Sequence, residues 1–226
     1  RGRIERPKGC HRIYAIRFMK IICIGRNYAD HAKELGNAVP TEPVFFCKPD
    51  SAVLPKGNPF FIPEWTTDVH YEVELVLRID RLGKHISREF APRYYAEVGL
   101  GIDFTARDVQ EELKKKGLPW EKAKSFDNSA AVGKFVDITP EFNKKNVSFH
   151  FTKNGEIVQQ ANSGSMIFSF DKLISNISNY FSLNIGDLIF TGTPAGVGES
   201  VVGDQLEAFI DGQSLLSMEE IGRAHV

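Results

Sequence analysis

The sequence predicts an α+β fold that is mostly β, and three patterns along the chain support that prediction. Residues 69–79 alternate apolar with largely polar side chains, which is the period-two signature of a strand. Asn154 and Gly155 separate two strand-like runs and favour a hairpin turn, because both residues tolerate a positive φ. Helical spacing is confined to short stretches, and no repeat or low-complexity linker divides the chain. A single, strand-rich domain follows.

Local signals define the individual elements. Gly36 suits the left-handed position that follows a helix. Thr105 and Asp108 resemble a capping box, and Gly117 marks the end of the helix that this box would open. The expected elements are a helix over 28–35, strands over 69–79 and 98–104, a helix from Thr105 to Gly117, strands over 147–152 and 156–160, a helix capped by Ser169, and strands over 188–191, 205–210 and 214–217.

Composition excludes several classes of protein. With 226 residues, of which 42% are hydrophobic, the chain can bury a sizeable core and is not a disordered tail. No apolar run approaches the ~18 residues that cross a bilayer. Basic and acidic side chains number 28 and 29, which argues against a nucleic-acid-binding surface. Three cysteines without a Cys-x-x-Cys spacing indicate a reducing compartment, and the cytoplasm is the expected location.

Both ends of the chain differ from its centre. Residues 1–18 carry six basic side chains and one acid and precede Met19, the expected natural start. We expect 1–18 to be a non-native leader, or a mitochondrial presequence if the segment is genuine. Residues 221–226 are expected to be a non-native tail, which leaves 19–220 as a single domain. That domain holds 21 basic and 28 acidic residues, a formal charge of −7.

Three acidic residues are candidate metal ligands. Glu72 and Glu74 are two residues apart, so they share one face of a strand and lie ~7 Å from each other. Asp103 ends a second, apolar strand, where its carboxylate can project into a site. A hard divalent cation between such carboxylates would relieve their repulsion. A solvated polar strand face and a turn aspartate explain the same residues without a metal.

The helix that follows Asp103 adds two candidates for substrate binding. Arg107 and Gln110 are three residues apart and therefore lie on one helix face. Beside a metal, they could hold an anionic substrate. An ordinary surface helix is the alternative.

Seven segments then occur in a characteristic order. They are GRNYADHAKELG, EPVFFCKP, VHYEVELVLRI, GIDFTARDVQ, KKKGLPWEKAKSFD, NGEIVQQ and GDLIFTGTPAGVG. In this combination the chain resembles the fumarylacetoacetate hydrolase superfamily, and within it the single-domain acylpyruvase branch. The resemblance covers roughly residues 19–212. It implies a mixed β-roll of that family's C-terminal-domain type, Mg²⁺ or Mn²⁺ as cofactor, a homodimer, and a small 2-oxo or β-diketo acid as substrate.

The resemblance also implies roles for particular residues. Glu72, Glu74 and Asp103 match metal ligands. His31 and Glu34 match a dyad that activates water. The remaining matches are Lys124 beside the substrate oxygens as a third catalytic residue, and Arg26, Arg107, Gln110 and Thr193 as substrate-binding residues.

The function that the resemblance implies is divalent-metal-dependent hydrolysis of 3-acylpyruvates to pyruvate and a carboxylic acid. Oxaloacetate decarboxylation and keto–enol tautomerisation or isomerisation of a 2-oxo acid at the same site are the alternatives. A non-catalytic, β-rich binding module is a second alternative. The sequence leaves the acyl group, the choice between Mg²⁺ and Mn²⁺, and the native ends of the chain open. Neither nucleic acid nor a membrane is expected as a partner.

Overall fold

The computed structural model describes residues 19–34, 36, 38–139, 142, 146–218 and 221–223. Its strands are β1 (Ile21–Ile24), β2 (Phe45–Lys48), β3 (Phe60–Ile62), β4 (Val69–Tyr71), β5 (Val73–Ile79), β6 (Tyr95–Asp103), β7 (Thr105–Ala106), β8 (Ala130–Asp137), β9 (Ser148–Lys153), β10 (Glu156–Asn162), β11 (Leu188–Phe190), β12 (Gly198–Glu199), β13 (Leu206–Ile210), β14 (Gln213–Met218) and β15 (Ile221–Arg223). Its α-helices are α1 (Ala29–Glu34), α2 (Arg107–Lys116), α3 (Glu121–Lys124) and α4 (Phe170–Tyr180). The α+β, mostly β prediction is confirmed.

Four sheets make up the described fold. A six-stranded mixed sheet in the order β2-β1-β11-β5-β6-β8 is the largest, and a four-stranded sheet in the order β10-β9-β13-β14 packs near it. A three-stranded sheet has the order β12-β4-β7, and β15 pairs with β3 in parallel. The expected leader, residues 1–18, lies outside the described residues. Of the expected tail, Ile221–Arg223 forms β15, in which Ile221 is fully buried.

The central position of β5 explains its composition. It pairs with β11 along one edge and with β6 along the other, and every residue from Val73 to Leu77 is buried, so both of its faces are covered as well. Gly101 of β6 pairs with Glu74. A Cβ atom at Gly101 would lie 2.6 Å from Cε1 of Phe190 on β11. Glycine therefore lets the phenylalanine ring pack against the sheet directly beside the acidic pair.

The alternating segment 69–79 is two strands rather than the single strand that its pattern predicts. The chain leaves one sheet and enters another at Glu72: β4 pairs with β7 and β12, whereas β5 pairs with β6 and β11. Period-two alternation continues across such a break, so it does not reveal it. The consequence is that Glu72 stands at a junction between sheets.

The capping box predicted at the start of α2 is wrong. Ala106 occupies the N-cap position and no side chain caps the helix. The Thr105 hydroxyl instead donates to the Asp103 carbonyl, 3.3 Å away. Asp108 accepts hydrogen bonds from Thr66 Oγ1 at 2.6 Å and Thr67 N at 3.0 Å, which ties α2 to the loop before β4. A tertiary contact has replaced the local one.

The other local predictions are confirmed with small shifts in their bounds. Gly36 and Gly117 follow their helices with φ values of 63° and 64°. Asn154 and Gly155 have φ values of 55° and 82° and connect β9 to β10. Ser169 is the N-cap residue of α4, although its side chain makes no capping hydrogen bond.

Candidate active site

Three buried carboxylates converge where the six-stranded and three-stranded sheets meet. Glu72 lies at the junction between β4 and β5, Glu74 on β5, and Asp103 at the end of β6. The Asp103 N–H donates to the Glu72 carbonyl at 2.9 Å, which fixes the two strand ends together. One oxygen atom from each carboxylate lies within 4.8 Å of the other two. The structure thus brings together the three residues that were predicted as metal ligands.

Two of these carboxylates are neutralised by buried cations. Lys124 Nζ lies 2.7 Å from Glu72 Oε2 and 2.8 Å from Asp103 Oδ2. Arg107 Nη2 lies 2.5 Å from Glu72 Oε1, and Lys48 Nζ lies 2.7 Å from Asp103 Oδ1. Because these groups are almost completely buried, solvent screens their interactions weakly.

Glu74 differs from the other two carboxylates. Its Oε2 accepts a hydrogen bond from Gly192 N at 2.7 Å, and no described cationic side chain forms an ion pair with it. Burial and the negative charge of Asp103 hold the pKa of Glu74 well above its usual value. The neutral, protonated carboxyl of Glu74 is therefore favoured, because the described residues compensate a negative charge at this position poorly.

The pKa values of Glu72 and Lys124, unlike that of Glu74, shift in the directions that favour the charged forms. Burial would raise the pKa of Glu72, but Lys124 and Arg107 outweigh that effect and lower it. Burial would lower the pKa of Lys124, but Asp103 and Glu72 outweigh it and raise it. At neutral pH the Glu72 carboxylate and the Lys124 ammonium are consequently both charged.

This donor set fits a hard divalent cation. Carboxylate oxygens are the ligands that Mg²⁺ and Mn²⁺ prefer, and three of them already converge on one point. A bound cation would stabilise the ionised form of Glu74, which burial and Asp103 otherwise disfavour. Glu72, Glu74 and Asp103 are the residues that would hold it.

Arg107 and Gln110 lie beside the triad on the buried face of α2. Arg107 Nη1 donates to Gln110 Oε1 at 2.7 Å, so the three-residue spacing produces the contact that it predicted. Both residues are more than nine-tenths buried. A guanidinium held in this way is suited to an anionic group next to the carboxylates.

His31 and Glu34 form a hydrogen-bonded pair on α1. His31 Nδ1 lies 3.2 Å from Glu34 Oε2, and Gly196 N donates to Glu34 Oε1 at 3.1 Å. Burial lowers the pKa of His31, and the charges of Glu72 and Glu34 offset part of that effect. The ring is therefore neutral near pH 7, with Nδ1–H directed to the glutamate and Nε2 left to accept a proton.

The remaining predicted residues occupy different surroundings. Thr193 is buried, and its hydroxyl donates to the Val73 carbonyl at 2.8 Å and accepts from Gln159 Nε2 at 2.9 Å. The single proton of this hydroxyl is thus used in a hydrogen bond to the protein backbone. Arg26 is half-buried, and its charge acts on Lys114.

Three basic residues near the site carried no prediction. Lys48 is fully buried and bonds to Ser129 as well as to Asp103. His70 accepts from Arg107 Nε at 3.5 Å. Lys114 is half-buried, and burial together with Arg107 lowers its pKa. The position of Lys114 could have been predicted from the sequence, because Lys114 is seven residues after Arg107 and therefore lies on the same face of α2.

Fold and site together define an α+β protein with a buried acidic candidate metal centre. A family profile described as the C-terminal domain of fumarylacetoacetate (FAA) hydrolase matches residues 20–225. The chain therefore belongs to the fumarylacetoacetate hydrolase family, and the family resemblance read from the sequence motifs is confirmed.

Curated relatives are similar over most of their length. The mitochondrial oxaloacetate tautomerase FAHD1 of Mus musculus is 46% identical over 192 residues, which cover 85% of this chain and 87% of the relative. Oxaloacetate tautomerase YcgM of Escherichia coli is 42% identical over 198 residues, covering 87% and 90%.

A solved structure has a closely similar backbone. The fumarylpyruvate hydrolase of Pseudomonas aeruginosa in complex with Mn²⁺ and pyruvate superimposes with a TM-score of 0.83 and 36% identity. The superposition covers 91% of this chain and 90% of the hydrolase.

Proposed function

We propose that this chain is a divalent-metal-dependent oxaloacetate tautomerase, which interconverts the keto and enol forms of this 2-oxo dicarboxylic acid. The observation that carries the proposal is the buried triad of Glu72, Glu74 and Asp103, framed by the cations of Arg107 and Lys124. An enolate and a carboxylate side by side are the groups that such a charge pattern stabilises. Relatives that are 42% and 46% identical carry the name oxaloacetate tautomerase.

A bound divalent cation would supply Lewis-acid stabilisation of the 2-oxo oxygen. The chain's own residues would do the rest. Arg107, oriented by Gln110, binds the carboxylate next to the keto group through its charged fork. The Lys124 ammonium, which is 2.7 Å from Glu72, donates to the oxygen on which negative charge develops.

Proton transfer falls to the His31–Glu34 pair. The neutral ring offers Nε2 as the base that removes a proton from the carbon between the two carbonyl groups. Glu34 holds the opposite ring nitrogen and stabilises the imidazolium that results. The enol is completed when the enolate oxygen takes this proton from the imidazolium, and in the reverse direction the neutral ring removes the enol hydroxyl proton and returns it to the carbon.

Two further cations favour a dicarboxylic substrate. Lys114 forms no ion pair with any described acidic side chain, and half-buried Arg26 acts on it electrostatically. Together they supply positive charge beyond that needed for the single carboxylate at Arg107. Oxaloacetate carries a second carboxylate, whereas acetylpyruvate does not.

Hydrolysis of 3-acylpyruvates is the second candidate. The hydrogen-bonded His31–Glu34 pair favours it, because a base of this kind can equally remove a proton from an attacking water. The solved hydrolase with 36% identity acts on fumarylpyruvate, by its name. Oxaloacetate decarboxylation uses the same enolate stabilisation but needs no water.

A product assay separates these reactions. Metal-free protein is supplied with Mg²⁺ and offered enol-oxaloacetate, keto-oxaloacetate, fumarylpyruvate and acetylpyruvate in parallel. The proposal predicts that ketonisation of enol-oxaloacetate is the fastest reaction and that EDTA abolishes it. Faster release of pyruvate from either acylpyruvate would assign the chain to hydrolysis instead.

Assembly and location extend the proposal. A homodimer is expected from the family resemblance and awaits a measurement of mass in solution. No described helix combines the length and apolarity needed to cross a bilayer. Several relatives are named as mitochondrial, so we propose the mitochondrial matrix as the location if residues 1–18 are native, and the cytoplasm otherwise.

A further inference from the structure

A second, partly buried chain of contacts reaches Arg107 through its Nε atom. His70 Nε2 lies 2.8 Å from Asp68 Oδ1, and Arg107 Nε donates to His70 Nδ1 at 3.5 Å. Since the guanidinium can only donate, Nδ1 must carry a lone pair and Nε2 the proton. The aspartate accepts that proton's hydrogen bond and so selects the tautomer that receives Arg107.

The three partners of Arg107 leave a defined part of the guanidinium free. Nε is directed to His70, one Nη1 proton to Gln110 and one Nη2 proton to Glu72. A guanidinium has five N–H groups, so one proton remains on each terminal nitrogen. Two donors on the terminal nitrogens are the number that a carboxylate accepts from one arginine.

Asp68 is itself held in place by the start of α2. Its carbonyl accepts the backbone N–H of Arg107 at 2.7 Å. Asp108, the next residue, binds Thr66 and Thr67 immediately before Asp68 in the chain. The loop that presents the aspartate is thus attached to the helix that carries the arginine, which makes the Asp68–His70–Arg107 arrangement rigid.

We propose that Asp68 and His70 are positioning residues that hold the Arg107 guanidinium in the orientation that receives the substrate carboxylate; this inference rests on the proposed function. Glu72 competes for the same guanidinium. Without the acceptor at Nε, the guanidinium can rotate to make a second hydrogen bond to Glu72. The free donors would then turn away from the substrate.

Two substitutions separate the halves of this arrangement. In His70→Asn the amide oxygen replaces Nδ1 and still accepts from Arg107, whereas the contact to Asp68 is lost. In His70→Gln the longer side chain reaches the position of Nε2, so that the contact to Asp68 remains and the acceptor for Arg107 is lost. His150→Gln is the matched control, because His150 is a partly buried strand histidine that stacks on Phe209.

The test measures steady-state ketonisation of oxaloacetate, and calorimetric binding of oxalate to the Mg²⁺-loaded protein. We expect His70→Gln to raise KM and the oxalate dissociation constant about tenfold, with kcat changed less than threefold and His70→Asn close to wild type. His70→Gln should add nothing further in an Arg107→Lys background, since lysine has no Nε–H. Equal effects of the two His70 variants, or an undiminished effect beside Arg107→Lys, would overturn the proposal. Oxalate binding needs no turnover, so an inactive wild type with His70-dependent oxalate binding would refute only the proposed function.

Discussion

Replacing Glu74 by glutamine should make the metal-free protein more stable and the metal-dependent protein inactive. Glu74 is 1% exposed, has a raised pKa, and forms no ion pair with a described cation. Glutamine keeps the shape of the side chain and can accept the Gly192 N–H, but it carries no charge. The substitution therefore replaces a carboxyl group, whose ionisation is opposed by burial and by Asp103, with a neutral group of the same shape and with little change in packing.

The size of the effect follows from the separation of the carboxylates. If Glu74 ionised, two unit charges 4.8 Å apart would repel each other by about 3.5 kcal/mol at an effective dielectric constant of ~20, which sets the scale of the cost of ionising this group in the folded protein. Nearby Lys124 offsets part of the repulsion that Glu74 experiences from Glu72 and Asp103. We expect a net gain of about 2 kcal/mol in the free energy of unfolding, equivalent to a rise in Tm of about 4–8 °C for a chain of this size.

Thermal unfolding with and without Mg²⁺ measures both halves of this prediction. Metal-free Glu74→Gln should unfold at a higher temperature than metal-free wild type, and the rise in Tm that Mg²⁺ gives the wild type should be lost. Glu156→Gln is the control, because Glu156 is exposed on β10 and its substitution should change stability by less than about 0.5 kcal/mol. Destabilisation of metal-free Glu74→Gln by more than 1 kcal/mol, or an unchanged response to Mg²⁺, would refute the reasoning.

Three further substitutions probe the base, the close packing and an acidic anchor. His31→Ala should reduce the ketonisation of enol-oxaloacetate about 100-fold or more, because His31 is the proposed base, while calorimetric binding of oxalate to the Mg²⁺-loaded protein is retained; a ketonisation rate close to that of the wild type would contradict the assigned role. Gly192 has a φ of 100°, and a Cβ there would lie 2.7 Å from Asn27 Cβ, so Gly192→Ala should cost about 3 kcal/mol in urea unfolding, and a cost near zero would be inconsistent with this packing. Burial of Asp204 is outweighed by hydrogen bonds such as that from Val201 N, which lower its pKa, so its stabilising contribution is fully present above the unfolded pKa of about 3.9 and is lost as pH falls below that value through the lower folded pKa. Asp204→Asn should reduce the loss in the free energy of unfolding that accompanies a change from pH 7 to pH 3. An unchanged dependence of this free energy on pH would contradict the stabilising role of Asp204.

The sequence pattern predicts the members of the site better than it predicts their surroundings. Period-two spacing places Glu72 and Glu74 together, and helical spacing places Arg107 beside Gln110, because both relations are local. The ion pair between Lys48 and Asp103 joins residues that are far apart in sequence. No local pattern specifies such a contact, and only the pairing of distant strands creates it.

The same limit explains the errors at α2 and at the β4–β5 junction. Thr105 and Asp108 have the spacing of a capping box, yet Asp108 binds the loop at Thr66, since the long-range contact satisfies more donors than the local one. Alternation in 69–79 continues through Glu72 although the sheet changes there. Both departures occur beside the carboxylate triad, where the chain must deliver residues from different sheets to one point.

Calorimetric titration of Mn²⁺ into the metal-free protein, in the presence of oxalate, tests the central claim most directly. If Glu72, Glu74 and Asp103 form a divalent-cation site, one Mn²⁺ should bind per chain, and Glu72→Ala should abolish the binding while the protein remains folded. Absence of binding at millimolar Mn²⁺ would contradict the account, as would unchanged binding by Glu72→Ala.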